Sequence, residues 1–569
     1  MRLWRRRKLP TSRVSIDSAD DAALADIVLA AWSGNPTHDL PPLTRLAHLD
    51  GPVYVAARRA GRRLADAWGA GESTHSAITN AVRQVSGQTT KAGIDTLELV
   101  LTHQPRSHPP DGEPLLPNVQ RGIRGLAIRQ GDHLARYAPT YMLATNRSKE
   151  ATEGVFRREF KLSEKDMTQA EVRTFDASQW LVMVKTENPE PAAALAMQRG
   201  SRTVPMAAVT RAGVEAFARR ATDWMTANLR ANGRMTYKYW PSIRKESKAN
   251  NMIRQWMATL ALIRAARHWQ DEALMERAEH NIRYNLKAYY QERNGYGLIE
   301  WNRKIKLGGL ALAALALETH PSRETWQRQR QALQRSVAEL WQPNGSFRTF
   351  VKPPDRNDCQ NFYPGEALVY WVRLFEESRD TGLHVRFMTS FHFYRKWHRR
   401  RRNPAFVPWH TMAYCRMWQL TRDDELADFV FEMNDWLVEH AQQTERTAPT
   451  ADTIGRFYNP DQPWGPPHAS STGVYLEGLI EAYRLAVACK QRKRARRYRA
   501  AIRLGLRSAM QLQFKDEVDM FYVPEDLRDR VHGGLRTTVY HNEIRCDNVQ
   551  HNLMAAIEVL ATFSDRDFA

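Results

Sequence analysis

The chain has 569 residues, 43% of them hydrophobic and 10% aromatic, and it carries 83 Lys plus Arg against 63 Asp plus Glu, a formal net charge of +20. That length exceeds one ordinary core and that apolar content excludes a disordered chain, so two or more globular domains are expected. The longest uncharged apolar runs, such as Leu307 to Leu317, are too short to cross a bilayer, and no apolar run follows the basic start closely enough for a signal peptide.

Cys359, Cys415, Cys489 and Cys546 are widely spaced and form no C-x-x-C pair, which argues against a disulfide framework or a Cys-rich zinc site. Free thiols and a cytoplasmic location are the simplest expectation. The positive charge gathers in the N-terminal tail, in Arg395 to Arg402 and in Lys490 to Arg507, and suits an acidic partner: nucleic acid, an anionic membrane surface or an acidic polysaccharide. In the last stretch the basic residues alternate with Ala, Tyr, Ile and Leu at helical spacing, so a solvated helix face explains it equally well.

In chain order, residues 1–39 read as a basic tail and a short helix, and residues 40–187 as a small α+β domain. Pro52 to Ala57 and Ile94 to Thr102 read as strands, Thr74 to Val85 as a helix behind a Ser/Thr cap, and Ile123 to Tyr137 as a hairpin turning at Gly131-Asp132. Gly69-Ala70-Gly71 precedes the helix, but no Lys follows and no βαβ unit surrounds it, which argues against a phosphate loop. The order of these elements resembles the AMMECR-type domain. That family's Cys-Ile-Gly signature is absent, so no site residue carries over. Residues 188–206, rich in Pro and Ala, read as a linker.

Beyond the linker no convincing strand is visible, and twelve helical segments alternate in character. One set is charged and amphipathic (210–229, 272–291, 322–341, 380–397, 423–441, 491–512). The other is apolar on several sides (250–268, 306–318, 363–378, 408–420, 470–488, 546–563), so the first set is expected outside and the second inside. Tight turns lead from inner to outer helices, whereas long loops lead from outer to inner ones. Three of those loops open alike, with Asn232-Gly233, Asn294-Gly295 and Asn344-Gly345, each followed by aromatics and strand-like residues, a degenerate internal repeat. The pattern predicts six helical hairpins closed into a ring, with every long loop at one end.

The segments YKYWPSIRKESKANNMIRQ, QNFYPGEALVYW and IRCDNVQHNLMAA complete a likeness over residues 207–566. The chain there resembles the six-hairpin (α/α)6 toroid superfamily, whose members include glycoside hydrolases, unsaturated-uronyl hydrolases, polysaccharide lyases and sugar epimerases. The fold class expected is therefore multidomain: a small α+β domain followed by an all-α (α/α)6 toroid.

In such a ring the long loops and the N-termini of the inner helices surround one funnel. The residues expected there are Asn250, Asn251, Arg254 and Gln255; Glu300, Trp301, Lys304 and Lys306; Asn361, Tyr363 and Glu366; Trp409 and His410; Trp464, His468, Ser471, Thr472 and Glu477; and Arg545, Asp547, Asn548, Gln550 and His551. Glu366 and Asp547 belong to the third and sixth inner helices, opposite in ring order, and two opposed carboxylates are what glycosidic cleavage requires. Each also fits a structural role at a helix start. Tyr363, His410 and His551 suit the proton transfer of a uronate lyase or epimerase, Trp and Tyr suit stacking on sugar faces, and Arg254, Lys304 and Arg545 suit a sugar carboxylate.

The candidates for catalysis are Glu366, Asp547, Tyr363 and His551. Those for substrate binding are Asn251, Arg254, Glu300, Trp301, Asn361, Trp409, His410, Trp464, His468, Glu477, Arg545 and Gln550. No cofactor or metal is expected, because His468, His541 and His551 follow no recognised ligand spacing. The reading is a carbohydrate-active protein working by hydrolysis, lysis or epimerisation on an acidic or complex glycan. The alternatives are a non-catalytic glycan- or peptide-binding or assembly protein and, on charge alone, a nucleic-acid-binding protein.

Overall fold

The computed structural model describes residues 18–46, 51–106, 115–184, 194–462, 465 and 468–569. Two sequence expectations, the basic stretch Met1 to Lys8 and Trp464, lie outside the described residues.

The N-terminal domain is an antiparallel sheet in the order β2-β1-β3-β6-β4-β5, with β7 paired to β6. Its strands are β1 (Val53–Arg59), β2 (Arg62–Gly69), β3 (Thr96–Arg106), β4 (Arg124–Gln130), β5 (His133–Tyr137), β6 (Glu171–Met183) and β7 (Leu195–Met197). Alternation sends Val53, Val55 and Ala57 to one face and Tyr54 and Ala56 to the other. The first face is covered by α1 (Ser18–Ser33) and α2 (Thr74–Gln88), through Leu24, Ile27, Ile78 and Val82. Helices α3 (Pro139–Ala144) and α4 (Lys149–Glu159) follow the β4–β5 hairpin. Thus α1, expected in a separate tail region, packs into this domain's core, and β7 gives part of the expected linker a place in the sheet.

The toroid consists of outer helices α5 (Arg211–Ala227), α7 (Glu272–Tyr289), α9 (Gln327–Glu339), α11 (Thr381–Arg400), α13 (Asp424–His440) and α15 (Arg492–Leu512). They alternate with inner helices α6 (Met252–Trp269), α8 (Leu307–Thr319), α10 (Tyr363–Ser378), α12 (Val407–Thr421), α14 (His468–Ala488) and α16 (Cys546–Thr562). Each inner helix packs on the next, and α16 packs on α6, which closes the ring. The sequence accounts for the two layers. In α8 every residue from Leu307 to Glu318 is buried, whereas α7 buries one stripe through Leu274, Ala278, Asn281, Ile282 and Asn285 and turns Arg277 and Arg283 outward. Inner helices α6, α10 and α12 end on left-handed residues Gln270, Arg379 and Arg422, which reverse the chain at once into the capping aspartates Asp271, Asp380 and Asp423.

The long loops contain short strands, where the sequence showed strand-like residues after the Asn-Gly pairs but no convincing strand. β10 (Tyr290–Arg293), β11 (Tyr296–Trp301), β12 (Lys304–Lys306) and β13 (Phe350–Lys352) form one small sheet. β14 (Arg536–Thr538), β15 (His541–Arg545), β8 (Lys238–Trp240) and β9 (Lys245–Glu246) form another, in that order. These strands are two to six residues long, too short for alternation to register, and the β10–β11 hairpin turns on Asn294-Gly295 with both residues at positive φ. The second sheet joins the first long loop to the last, so it ties the seam of the ring at the funnel end.

The N-terminal domain rests on that same end. Arg199 is buried and pairs with Asp452 of the α13–α14 loop at 2.5 Å, and Asn542 Nδ2 of the last loop donates to Leu143 O at 2.9 Å. At Gly61 (φ 78°) a Cβ would lie 2.0 Å from Val523 O. No described helix is long and apolar enough to cross a membrane.

Candidate functional site

A cavity of about 340 Å³ opens at the loop end, lined by residues from the first two turns of α6, α10, α12, α14 and α16 together with Lys306 just before α8. Of the expected residues it gathers Asn251, Arg254, Lys306, Tyr363, Glu366, Trp409, Ser471 and His551.

Asn251 caps α6, its Oδ1 accepting from Ile253 N (3.0 Å) and Arg254 N (3.3 Å), and so fixes Arg254 at the cavity wall. Helix α10 starts with Pro364 in its first turn, which places Glu366 one residue beyond Gly365. Glu366 does not act as a cap: its Oε2 is buried without a hydrogen-bond partner. It fits there because position 308 of α8 is glycine; a Cβ at Gly308 would lie 2.1 Å from Glu366 Oε2. Burial pushes the Glu366 carboxyl up to about 8, against the opposing pull of Arg254 and Lys306. Burial likewise lowers the Lys306 ammonium below its usual range and raises the Tyr363 phenol well above its own.

On the facing wall, His551 Nδ1 donates to Glu477 Oε1 at 2.7 Å, and Arg264 Nη1 lies 3.5 Å from the other oxygen of Glu477. A carboxylate can only accept, so this contact sets the proton of the neutral imidazole on Nδ1 and leaves Nε2 as the basic nitrogen. Gly473 of α14 admits the close approach of α16, since a Cβ there would stand 2.8 Å from His551 Cβ.

Asp547 requires a correction. Expected to face Glu366 across the funnel, it is fully buried and is not among the lining residues. Arg254 Nε lies 2.8 Å from its Oδ2, Arg545 Nε donates to its Oδ1 at 2.9 Å, and Arg545 Nη2 also bonds Oδ2. Burial alone would raise its carboxyl, but the two guanidiniums outweigh burial and hold it down at about 2. Asp547 therefore anchors Arg254, and through it one wall of the cavity, while Arg545 stands behind it away from the lining.

Other expected residues lie elsewhere. Glu300 accepts from Lys352 Nζ at 2.9 Å within the first loop sheet, and Trp301 packs edge-on against Tyr289 at 5.6 Å. His410 belongs to the core: its Nδ1 bonds Phe406 O at 2.8 Å, its ring stacks on Phe406 at 3.6 Å, and burial pushes it down to about 3. His468 is buried beside Tyr540, Gln550 is fully buried in α16, and Asn361 precedes α10 without joining the lining. Sequence reasoning missed Met257, Val474 and Tyr475, which also line the cavity. The signal was available: Met257 follows Arg254 by three residues, and Tyr475 follows Ser471 by four, so each shares a helix face with a residue already placed there.

No family model matches the chain, and no curated protein matches it. Among solved structures it is similar to an inactive variant of an α-1,6-mannanase of Salegentibacter sp. HEL1_6 in complex with α-1,6-mannotriose, at 11% identity and a TM-score of 0.46, over 63% of this chain and 100% of that one. It is similar to a D-mannose isomerase at 13% identity and a TM-score of 0.46, over 62% of this chain and 99% of that one. It is also similar to an unsaturated glucuronyl hydrolase specific for heparin, at 12% identity and a TM-score of 0.44, over 61% of this chain and 96% of that one.

Proposed function

We propose that the chain is a carbohydrate-active enzyme that uses Glu366 as general acid and the His551–Glu477 pair as general base on an anionic sugar held in the funnel. The observation that carries this reading is Glu366: a cavity-wall carboxyl pushed up to about 8 keeps its proton at neutral pH, as an acid catalyst must. Arg254 and Lys306 supply two cations on the same wall for a substrate carboxylate, and Trp409, Tyr363 and Tyr475 supply aromatic surface for a sugar face. Glu366 would protonate the departing glycosidic oxygen or a carbonyl oxygen. His551 Nε2 would take a proton from water in hydrolysis, or from the carbon beside the sugar carboxylate in lysis or epimerisation. The volume lies at the low end of small-molecule sites, roughly 300–1,000 Å³, which suits the end of a glycan better than its middle.

One observation favours a second reading, binding without turnover: Asp547 is locked by two arginines, which leaves Glu366 as the carboxylate on the wall. The two readings separate in a screen of uronate-containing and neutral oligosaccharides with product analysis by mass spectrometry and NMR. Turnover by the wild type that falls on the order of 100-fold or more in Glu366→Gln, with binding retained, supports the enzyme. Saturable binding with no product from either protein supports the binding reading.

A further inference from the structure

We propose that a second cavity, between the N-terminal domain and the toroid, binds a small molecule carrying a phosphoryl or sulfate group, held by Arg58, Arg62, Arg63 and Arg244. This cavity measures about 260 Å³ and shares no lining residue with the funnel. Three of the arginines come from β1 and β2 of the N-terminal sheet. Arg244 comes from the first long loop of the toroid, where its left-handed backbone (φ 53°) ends a turn starting at Pro241. Two domains thus bring four guanidiniums to one small space.

The carboxylates that balance them stand outside it. Glu98 is buried behind Arg58, accepting from its Nε at 3.2 Å and its Nη2 at 2.8 Å. Asp526 takes Arg244 Nη1 at 2.8 Å and Arg62 Nη2 at 3.3 Å, and Asp66 lies 3.2 Å from Arg63 Nη1. No carboxylate lines the cavity among the described residues, whereas Tyr54 and Tyr141 do. Arg63 Nη1 donates to Tyr54 Oη at 3.3 Å, which turns the phenolic hydrogen toward other acceptors. The acids position the guanidiniums, and the guanidiniums and phenols offer donors to whatever enters.

A carboxylate has two oxygens and one charge, enough for the two guanidiniums that Asp526 and Asp547 each hold. A phosphoryl or sulfate group offers three outward oxygens and suits several forks approaching from different walls. The apolar walls, Pro241, Val523 and Pro524, leave room for a small organic body beside the oxyanion.

The test is calorimetric titration of the full chain with inorganic phosphate, a hexose 1-phosphate and a nucleoside diphosphate, at ionic strength fixed with chloride. Saturable binding of at least one probe is expected, weakened about tenfold or more in Arg63→Gln and in Arg244→Gln, as the loss of a charge-assisted hydrogen bond predicts. Glu366→Gln is expected to bind the same probe as the wild type does, which separates this site from the funnel. Preference for an organic phosphate over inorganic phosphate shows that the body is also read; equal binding shows recognition of the oxyanion alone. The proposal is overturned if no probe binds saturably, if Arg63→Gln binds undiminished, or if Glu366→Gln abolishes binding. Arg63 is substantially exposed and makes no helix cap, so its variant keeps the test open even if Arg244→Gln fails to fold.

Discussion

Glu366 and Asp547 are both buried carboxylates near the start of an inner helix, yet their surroundings drive them apart, one up to about 8 and the other down to about 2. Their effects on stability therefore have opposite signs. Folded Glu366 holds a proton that an unfolded glutamate, near 4.5, releases, so its contribution falls as pH rises from about 4.5 to about 8 and is level beyond. Glu366→Gln removes that dependence, and its melting temperature relative to the wild type is expected to climb across this window. Asp547 contributes stability in full above the unfolded value of 3.8, and loses it as pH falls toward 2. Asp547→Asn leaves Arg254 and Arg545 without their counter-charge and is expected to cost about 3–5 kcal/mol in denaturant unfolding at pH 7. A cost near 1 kcal/mol would reduce Asp547 to a helix cap. The sequence showed both carboxylates at helix starts but not which of them meets solvent, because that depends on arginines arriving from other helices and from the strand before α16.

At the scale of elements, the toroid was readable because burial dictates composition: an inner helix such as α8 must be apolar all round, an outer one such as α7 on one stripe only. The bounds of α10, Tyr363–Ser378, coincide with those expected because Pro364 marks its start and a left-handed Arg379 its end. The loop strands registered only as strand-like residues after the Asn-Gly pairs, since three-residue pieces such as β8 and β13 gain their pairing from partners in distant loops. His410 misled because a histidine near a helix start looks available until Phe406, one turn earlier, is seen stacked on it. Glycine positions carry a prediction here. Gly308 is where α8 yields space to α10, so Gly308→Ala is expected to displace Glu366 and Tyr363 and lower turnover by a factor on the order of 100, with a fall in melting temperature. Gly87→Ala, where a Cβ meets nothing within 4 Å, is the control and is expected to leave activity unchanged. Equal activity in both variants would show that Glu366 is not placed by this contact.

For the molecule as a whole, the N-terminal domain and the toroid share buried contacts at Arg199–Asp452 and Gly61–Val523, so calorimetry is expected to show one unfolding transition. Gly61→Val, with a positive φ and no space for a side chain, is expected to split it in two. Charge acts at this scale too. Arg399 to Arg402 are exposed where α11 runs into the loop that supplies Ala405 to the funnel. Neutralising all four is expected to weaken binding of an anionic glycan at low salt and to have little effect at high salt, where screening removes the attraction. Unchanged low-salt affinity would leave that cluster as a surface feature. The closed ring has a further consequence, in time rather than in space. Arg211, at the start of the first outer helix, donates through Nη1 to Leu560 O, 349 residues later. At a synthesis rate of about 5–20 residues per second, the early helices wait roughly 20 to 70 s for the segment that closes the ring. Once α8 has emerged, the nascent chain holds this helix, apolar on every side, in an unfinished arc until the ring closes, and its protection then falls to whatever shields a growing polypeptide.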